Sequence, residues 1–192
     1  MILPSPNTTC QVLAIPFQCA RTMALSSSAS SIDWTHWRGE ILATLMFVVR
    51  DGEILLIEKK RGIGAGKING PGGKIDPGET PLQCAIRETQ EELHITVKEA
   101  RKMGELCFAM SDLPDIHCHV FMADSFEGTP TETDEAVPVW KAIEEIPYER
   151  MWADDIFWLP EMLSGKTFHG KFLFDGERIV WQEILFDVSF AE

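Results

Sequence analysis

The chain has 192 residues, of which 45% are hydrophobic and 24% are charged, and its formal net charge is −13. This length suits one domain with a single sizeable core, and no apolar run is long enough for a membrane span. The acidic balance argues against binding to a nucleic acid polymer, because that affinity comes largely from Lys and Arg neutralising phosphates. If the protein binds an anionic ligand, metal ions or a local basic patch must offset the repulsion between the two negative charges.

Cysteine spacing bears on the cellular compartment. The five cysteines are Cys10, Cys19, Cys84, Cys107 and Cys118. They form no C-x-x-C pair and no evenly spaced framework, so they indicate neither a structural zinc site nor a disulfide scaffold. We expect a protein of the reducing cytoplasm.

The first part of the chain differs in composition from the rest. Residues 1–31 contain one Arg, no acidic residue and the run SSSASS at 26–31, which is typical of a disordered leader. We place this leader at 1–37 and one folded domain at 38–192. One alternative is a targeting segment, although this stretch has no basic n-region. Another is that translation starts at Met23, in which case the leader would not belong to the protein.

Two apolar runs around a turn predict an early β-hairpin. ILATLMFVV at 41–49 and ILLI at 54–57 flank Asp51-Gly52, and a D-G pair is a strong hairpin signal. The segment RGIGAGKINGPGGK at 61–74 then holds too many Gly and Pro residues for a regular element. It is predicted to be a loop whose backbone comes close to another group.

A helix is predicted over about 81–93. Thr80 suits the N-cap, Pro81 suits the first helical position, and Gln83 completes a capping box. The apolar positions recur at helical spacing and define the expected buried stripe; they are Leu82, Ala85, Ile86, Thr89 and Leu93.

Further strands are predicted at 104–110, 117–123 and 136–140, followed by a helix around 153–163. KFLFDGERIVWQEIL at 171–185 brackets a second D-G turn, so the chain is expected to close with another hairpin. This order of elements indicates an α+β fold or an α/β/α sandwich.

The first predicted helix carries three carboxylates on one face. Glu88, Glu91 and Glu92 stand at i, i+3 and i+4, where like charges destabilise a helix by about 0.2–0.5 kcal/mol per pair. They border the buried stripe on the side of the preceding loop. A solvated face and a site for a divalent cation are both open at this point.

The wider window, residues 72–95, resembles the Nudix box, G-x5-E-x7-R-E-U-x-E-E-x-G-U with U aliphatic. The specified polar residues and the first glycine all occur in register: Gly73, Glu79, Arg87, Glu88, Glu91 and Glu92. Two positions depart from the motif. Thr89 replaces an aliphatic residue, and His94 stands where Gly ends the helix in a left-handed conformation.

Resemblance to the Nudix (MutT-like) hydrolases implies a sandwich around a mixed sheet and dependence on Mg²⁺, with Mn²⁺ as the other candidate. Carboxylate oxygens prefer such hard cations. The metal-binding residues it implies are Gly72, Gly73, Glu88, Glu91, Glu92 and Glu135. Arg87 would orient Glu91 by a charge-assisted hydrogen bond. The general base stays open among Glu88, Glu92 and Glu135.

Four more segments resemble one branch of that family, the mammalian-type 8-oxo-dGTP diphosphatases. They are KKRGIGAGKINGPGGK (59–74), DSFEGTPTETDE (124–135), IPYERMWADD (146–155) and FHGKFLFDGE (168–177). The resemblance implies a monomer that converts 8-oxo-dGTP and 2-hydroxy-dATP to the monophosphate and pyrophosphate. The alternatives are a Nudix hydrolase of dinucleoside polyphosphates, methylated purine nucleotides or nucleotide sugars, and a nucleotide-binding module without catalysis.

The same resemblance implies a pocket for the purine base. Asn69, Asp154 and Asp155 would read its edge by switching donor and acceptor roles, and Trp152 would stack on it. Other implied pocket residues are Thr44, Lys59, Phe108 and Trp158. Three pocket positions depart from that branch, so a looser enclosure of the base is expected. Ile63 stands in place of Phe, and Ile116 and Ala136 stand in place of Met.

Structural roles are the alternative for several of these residues. Asp154 and Asp155 could cap the next helix, Trp152 and Trp158 could be core aromatics, and Lys59 could end a strand in solvent. His117 and His119 alternate along a strand and share one face. Because no third ligand accompanies them in the sequence, a soft-metal site is not expected there.

Overall fold

A computed structural model describes residues 32–190. Its strands are β1 (Ile41–Arg50), β2 (Glu53–Lys59), β3 (Ile68–Asn69), β4 (Ile95–Lys98), β5 (Arg101–Met110), β6 (Ile116–Ala123), β7 (Ser125–Gly128), β8 (Ala136–Ala142), β9 (Phe168–Asp175) and β10 (Arg178–Phe186). Its helices are α1 (Pro81–Leu93) and α2 (Asp155–Leu163), with short 3₁₀ turns at Ile143–Glu145 and Tyr148–Arg150.

Most of the strands form one mixed sheet. Its order is β10-β9-β5-β6-β1-β2-β3, and β8 also pairs with β2. The pairs β1/β6 and β5/β9 are parallel, whereas the other pairs are antiparallel. Strands β4 and β7 pair separately. The two predicted hairpins are confirmed as β1/β2 and β9/β10.

The sheet is covered by a helix on each face, because side chains alternate along its central strands. One buried cluster packs under α1 and includes Met46, Val48, Leu55, Ile57, Ala85 and Leu93. The other packs under α2 and includes Phe47, Ile54, Leu56, Trp158, Leu159 and Met162. The expected α/β/α sandwich around a mixed sheet is therefore confirmed.

Helix α1 has the predicted bounds and caps. Thr80 Oγ1 accepts a hydrogen bond from Gln83 N at 3.2 Å, and Gln83 Oε1 accepts one from Thr80 N at 2.8 Å. His94 ends the helix in the left-handed region with φ of 59°. The conformation expected from its place in the motif is thus confirmed.

The buried face of α1 differs from the predicted stripe. Leu82 is 37% exposed, whereas Cys84 and Glu92 are fully buried. The difference arises because the Gly-rich loop covers this side of the helix: the Cys84 thiol lies 3.3 Å from Lys74 O, and Glu92 accepts a hydrogen bond from Gly72 N. The spacing of apolar residues along the helix cannot predict that a loop from elsewhere in the chain buries Cys84 and Glu92.

The expected leader, together with the targeting alternative, lies mostly outside the described residues. Residues 32–37 are described, and they lie against the sheet. Trp34 stacks on Trp181 with ring centroids 5.4 Å apart, and Trp37 Nε1 donates to Asp115 Oδ2 at 2.7 Å. Among residues 32–190, no helix is long and apolar enough to cross a membrane.

Replacing Thr80 by Ala should lower the free energy of unfolding by about 1 kcal/mol, because the N-cap hydroxyl acceptor is lost. Thr80 is exposed, so little packing is lost with it. Urea denaturation of wild type, Thr80→Ala and Thr80→Ser would measure the effect. Serine keeps the hydroxyl and should remain near wild type; equal loss in both variants would contradict the capping role.

Candidate active site

The Gly-rich loop forms hydrogen bonds with the part of β1 that does not pair with β2. Strand β2 pairs with β1 only over Val48–Arg50. Further along β1, Thr44 N donates to Gly73 O at 2.9 Å. A Cβ atom on Gly72 would lie 2.0 Å from Thr44 O, so a side chain is excluded there. The predicted close approach of this loop to another group is confirmed.

Glu92 lies between this loop and β2, and only 1% of its surface is exposed. Its Oε2 accepts a hydrogen bond from Gly72 N at 2.8 Å, and its Oε1 contacts Lys59 Nζ at 3.0 Å. Burial raises the pKa of Glu92, and Lys59 opposes that shift. The carboxylate is thus held in a fixed position by two donors.

Glu88 occupies space that a side chain at Gly73 would fill. A Cβ atom on Gly73 would lie 2.3 Å from the carboxyl carbon of Glu88. The Glu88 side chain is only 15% exposed, and burial raises its pKa. The two consecutive glycines therefore make room for two different carboxylates of α1.

Arg87 links the acidic residues to the loop. Its Nη1 donates to Glu88 Oε1 at 2.8 Å and to Glu91 Oε2 at 3.1 Å. Its Nε and Nη2 donate to both oxygens of Glu79, at 2.8 and 2.9 Å. These bonds lower the pKa of Glu79 to about 2. Arg87 therefore contacts Glu91 as expected, but its bidentate partner is Glu79.

A cavity of about 500 Å³ opens beside these carboxylates. Ten predicted site residues line it: Thr44, Lys59, Asn69, Gly72, Gly73, Glu88, Phe108, Glu135, Trp152 and Asp154. Five others lie around it without lining it: Arg87, Glu91, Glu92, Asp155 and Trp158. Residues assigned to the metal and to the base therefore meet at one opening.

Two consecutive buried carboxyl groups lie at this cavity; Asp154 lines it, whereas its neighbour Asp155 does not. Asp154 is 3% exposed and Asp155 2% exposed. Asp155 Oδ2 accepts a hydrogen bond from Trp152 N at 3.0 Å, which fixes the backbone of the aromatic residue. Burial raises the pKa of Asp154 to about 6 and that of Asp155 well above its ordinary value. A protonated carboxyl can donate a hydrogen bond as well as accept one.

Trp158 lies in the core rather than at the cavity surface. It is fully buried and stacks on Phe168 with centroids 5.0 Å apart. Its Nε1 donates to Asp154 Oδ2 at 2.9 Å. Trp158 is therefore a core aromatic residue, which was the alternative to a pocket role, and it contacts the site only by its hydrogen bond to Asp154. Asp154 itself makes no side-chain capping bond to α2.

Asn69 and Trp152 supply the remaining polar and aromatic groups of the wall. Asn69 Oδ1 accepts a hydrogen bond from Gly70 N at 2.8 Å, which directs the amide oxygen to the backbone. The Trp152 ring lies 4.9 Å from Lys67 Nζ, and Gly64 has no side chain that would crowd it. The wall thus combines a flat apolar ring with an amide and the carboxyl group of Asp154.

Sequence reasoning missed several lining residues. Arg61 pairs with Glu135 and lines the cavity with Met110 and Phe174. The alternation of β9 could have indicated Phe174, but no local pattern connects Arg61 with an acid 74 positions away.

The three substituted positions expected to loosen the pocket have different surroundings. Ile63, which is 40% exposed, and Ile116 line the cavity. Ala136 is fully buried in the cluster under α1 and is not among the lining residues. A looser enclosure could therefore arise at Ile63 and Ile116 but not directly at Ala136.

The fold and this site define a class of protein. A profile of the NUDIX domain matches residues 40–162, and the chain belongs to the Nudix hydrolase family. It is 47% identical to the zebrafish "oxidized purine nucleoside triphosphate hydrolase" over 151 residues, which cover 77% of this chain and 96% of that protein. The mouse protein of the same name is 39% identical over 149 residues, with the same coverage.

Solved structures agree with this assignment. The MutT protein from Bacillus halodurans aligns with a TM-score of 0.68 and 26% identity, covering 75% of this chain and 97% of that one. A MutT NUDIX hydrolase from Burkholderia pseudomallei gives a TM-score of 0.56 and 31% identity, covering 60% and 93%. The resemblance to Nudix (MutT-like) hydrolases is confirmed.

Nudix hydrolases generally use a divalent metal ion, and the donor set on α1 fits one. Glu92 is buried and Glu88 is half-buried, and Glu88 lines the open cavity together with Gly72 and Gly73. Oxygen-rich sites suit hard divalent cations. Such a cation would offset the negative charge that Arg87 and Lys59 balance only in part.

Replacing Asp154 by Asn should stabilise the fold at high pH. Because its folded pKa is raised to about 6, while the unfolded value is about 3.9, the Asp154 contribution to stability is lost as pH rises between those values. Asparagine carries no charge and keeps an oxygen acceptor for Trp158. We expect a gain on the order of 2 kcal/mol at pH ~8 and little gain at pH ~4.

Urea denaturation of metal-free wild type and Asp154→Asn at the two pH values would measure this difference. A stability difference of the same size at both pH values would contradict a raised pKa at Asp154.

Proposed function

We propose that this chain hydrolyses oxidised purine nucleoside triphosphates, 8-oxo-dGTP and 2-hydroxy-dATP, to the monophosphate and pyrophosphate. The observation that carries the proposal is the single cavity that Glu88 lines together with Asn69, Trp152 and Asp154. A phosphate chain beside the carboxylates would leave the base against the aromatic and polar wall. The names of the zebrafish and mouse relatives support the same substrate class.

The residues that would hold Mg²⁺, or Mn²⁺ in its place, are the carboxylates of Glu88, Glu91, Glu92 and Glu135 and a carbonyl oxygen of Gly72 or Gly73. When bound, such ions neutralise phosphate charge and lower the pKa of a coordinated water. Glu91 is 55% exposed at the end of the Arg87 network, and it can reorient at low energetic cost. Glu88, Glu92 and Glu135 remain the candidates for the general base.

The base-binding wall would select by hydrogen bonding. Burial raises the pKa of Asp154 and of Asp155, so this pair retains a proton to higher pH than exposed aspartates do. An acid that donates and a carboxylate that accepts can match both edges of an oxidised purine. Trp152 would stack on the ring, while Asn69 would contribute its amide group.

Two cationic side chains in the cavity lining favour the binding of a polyphosphate. Lys59 and Arg61 both line the cavity, although each also pairs with a carboxylate of the site, Glu92 and Glu135 respectively. The net charge of −13 otherwise repels anions, so this local patch is consistent with a small nucleotide rather than a nucleic acid polymer. We further propose that the enzyme acts as a monomer in the cytoplasm.

Pyrophosphate release from matched substrates tests the proposal. With purified chain and Mg²⁺, kcat/KM should be higher for 8-oxo-dGTP and 2-hydroxy-dATP than for dGTP by about tenfold or more, since each buried hydrogen bond that discriminates is worth roughly 1–3 kcal/mol. Equal efficiency on dGTP would contradict selection of oxidised purines. Product analysis should show the monophosphate and pyrophosphate; release of orthophosphate alone would contradict the proposed reaction.

Replacing Glu88 by Gln should reduce kcat by at least about 100-fold, because the neutral amide has lost the charge that a metal-dependent site requires. The variant should still fold, since glutamine fills the same space beside Gly73. Glu127→Gln is a matched control on an acid that is 75% exposed in β7, and its kcat should equal that of wild type. Near-normal turnover of Glu88→Gln would refute the role of Glu88.

A further inference from the structure

Three neighbouring strands bring a second set of ligating side chains together. Glu105 in β5 lies opposite His119 across the β5/β6 pair and opposite His169 across the β5/β9 pair. Cys107, two residues along β5, lies opposite His117. Because side chains alternate along a strand, these groups share one face of the sheet.

That face is separate from the candidate active site. Ile116 and Cys118, which alternate with His117 and His119 along β6, line the large cavity on the other side. A cavity of about 250 Å³ lies over the second set and is lined in part by Trp34 and Trp37. Hence one strand separates two different groups of chemically active side chains.

The atoms of this second set are close enough to share one ion. Glu105 Oε2 lies 3.2 Å from His117 Nε2, and Glu105 Oε1 lies 3.5 Å from His119 Nδ1. All three ligand atoms lie within 4.8 Å of one another. Bonds of about 2.0–2.1 Å in a tetrahedral zinc site place ligand atoms roughly 3.3 Å apart. The separations from His117 to Oε2 and from His119 to Oε1 of Glu105 have this value within a few tenths of an ångström, so each imidazole faces a different carboxylate oxygen.

One nitrogen of the set makes no hydrogen bond within the part of the chain that the structure describes. His119 Nδ1 is buried and makes no hydrogen bond with any group among residues 32–190. Its 3.5 Å separation from Glu105 Oε1 lies outside hydrogen-bonding geometry. Buried polar atoms almost always have a partner, so this nitrogen points to a ligand other than the groups of residues 32–190.

We propose that Glu105, His117 and His119 bind a divalent transition-metal ion, and that zinc is the ion this donor set suits. Two imidazoles and one carboxylate form a known zinc ligand set with a fourth position open for water. The expectation that His117 and His119 lack a third ligand is therefore corrected. Glu105 comes from the neighbouring strand, which the sequence pattern around the histidines cannot show.

Other groups around the site are consistent with this assignment. Lys102 Nζ contacts Glu105 Oε1, but its side chain is 28% exposed and can move into solvent when an ion binds. His169 Nε2 lies 3.9 Å from the Cys107 thiol, and both residues line the same small cavity. Either could approach the fourth position.

Zinc titration of the metal-free full-length chain tests the site. With a chromophoric zinc chelator as competitor and excess Mg²⁺ to occupy the carboxylates of α1, wild type should bind one zinc ion. His117→Ala and His119→Ala should each weaken zinc binding by at least about 100-fold, since even partners beyond the direct ligands contribute 10–100-fold. Co²⁺ added in place of zinc should give visible absorption bands in wild type that are lost in His117→Ala.

Two control variants separate this site from other binding. His36→Ala removes a histidine that is 83% exposed, and Glu88→Gln alters the proposed Mg²⁺ site; both should bind zinc as wild type does. His117 is 26% exposed, so His117→Ala should fold even if His119→Ala does not, and circular dichroism would verify this. The proposal is overturned if wild type binds no zinc in excess Mg²⁺, or if His117→Ala retains it.

Discussion

The arrangement of the carboxylates depends on two consecutive glycines. Gly72 passes so close to β1 that a Cβ atom would overlap Thr44 O, and Gly73 passes so close to α1 that a Cβ atom would overlap the Glu88 carboxyl group. Without side chains the loop fits between strand and helix, and its backbone amide reaches Glu92. A side chain at Gly72 would displace the loop from β1, and a side chain at Gly73 would displace the Glu88 carboxyl group.

This close packing explains why the buried charges on α1 are tolerated. A buried carboxylate is unfavourable unless it is paired and hydrogen-bonded. Glu92 has Lys59 and a backbone amide, and Glu88 has Arg87. Lys59 and Gly72 come from other parts of the chain, so Glu92 is compensated only when the fold has formed, whereas Arg87 is next to Glu88 on α1. A bound cation would add to this compensation rather than create it.

Local patterns predicted the elements of the fold but not their neighbours. The capping box at Thr80 and the left-handed end at His94 depend on contacts within a few residues, and both were predictable. The parallel pairs β1/β6 and β5/β9 depend on contacts between distant parts of the chain. For the same reason the motif identified the acids of α1, whereas the partnership of Arg61 with Glu135 became visible only in three dimensions.

Strand β6 illustrates how alternation can give one element two chemical environments. Cys118 faces the cavity beside the oxygen-rich acids of α1, and its neighbours His117 and His119 face Glu105 on the opposite side. Hard cations prefer oxygen donors, whereas imidazole favours transition metals. A hard cation at the acids of α1 and a transition-metal ion at the histidines of β6 could therefore bind on opposite faces of the sheet without competing, because each ion prefers the donors of its own face.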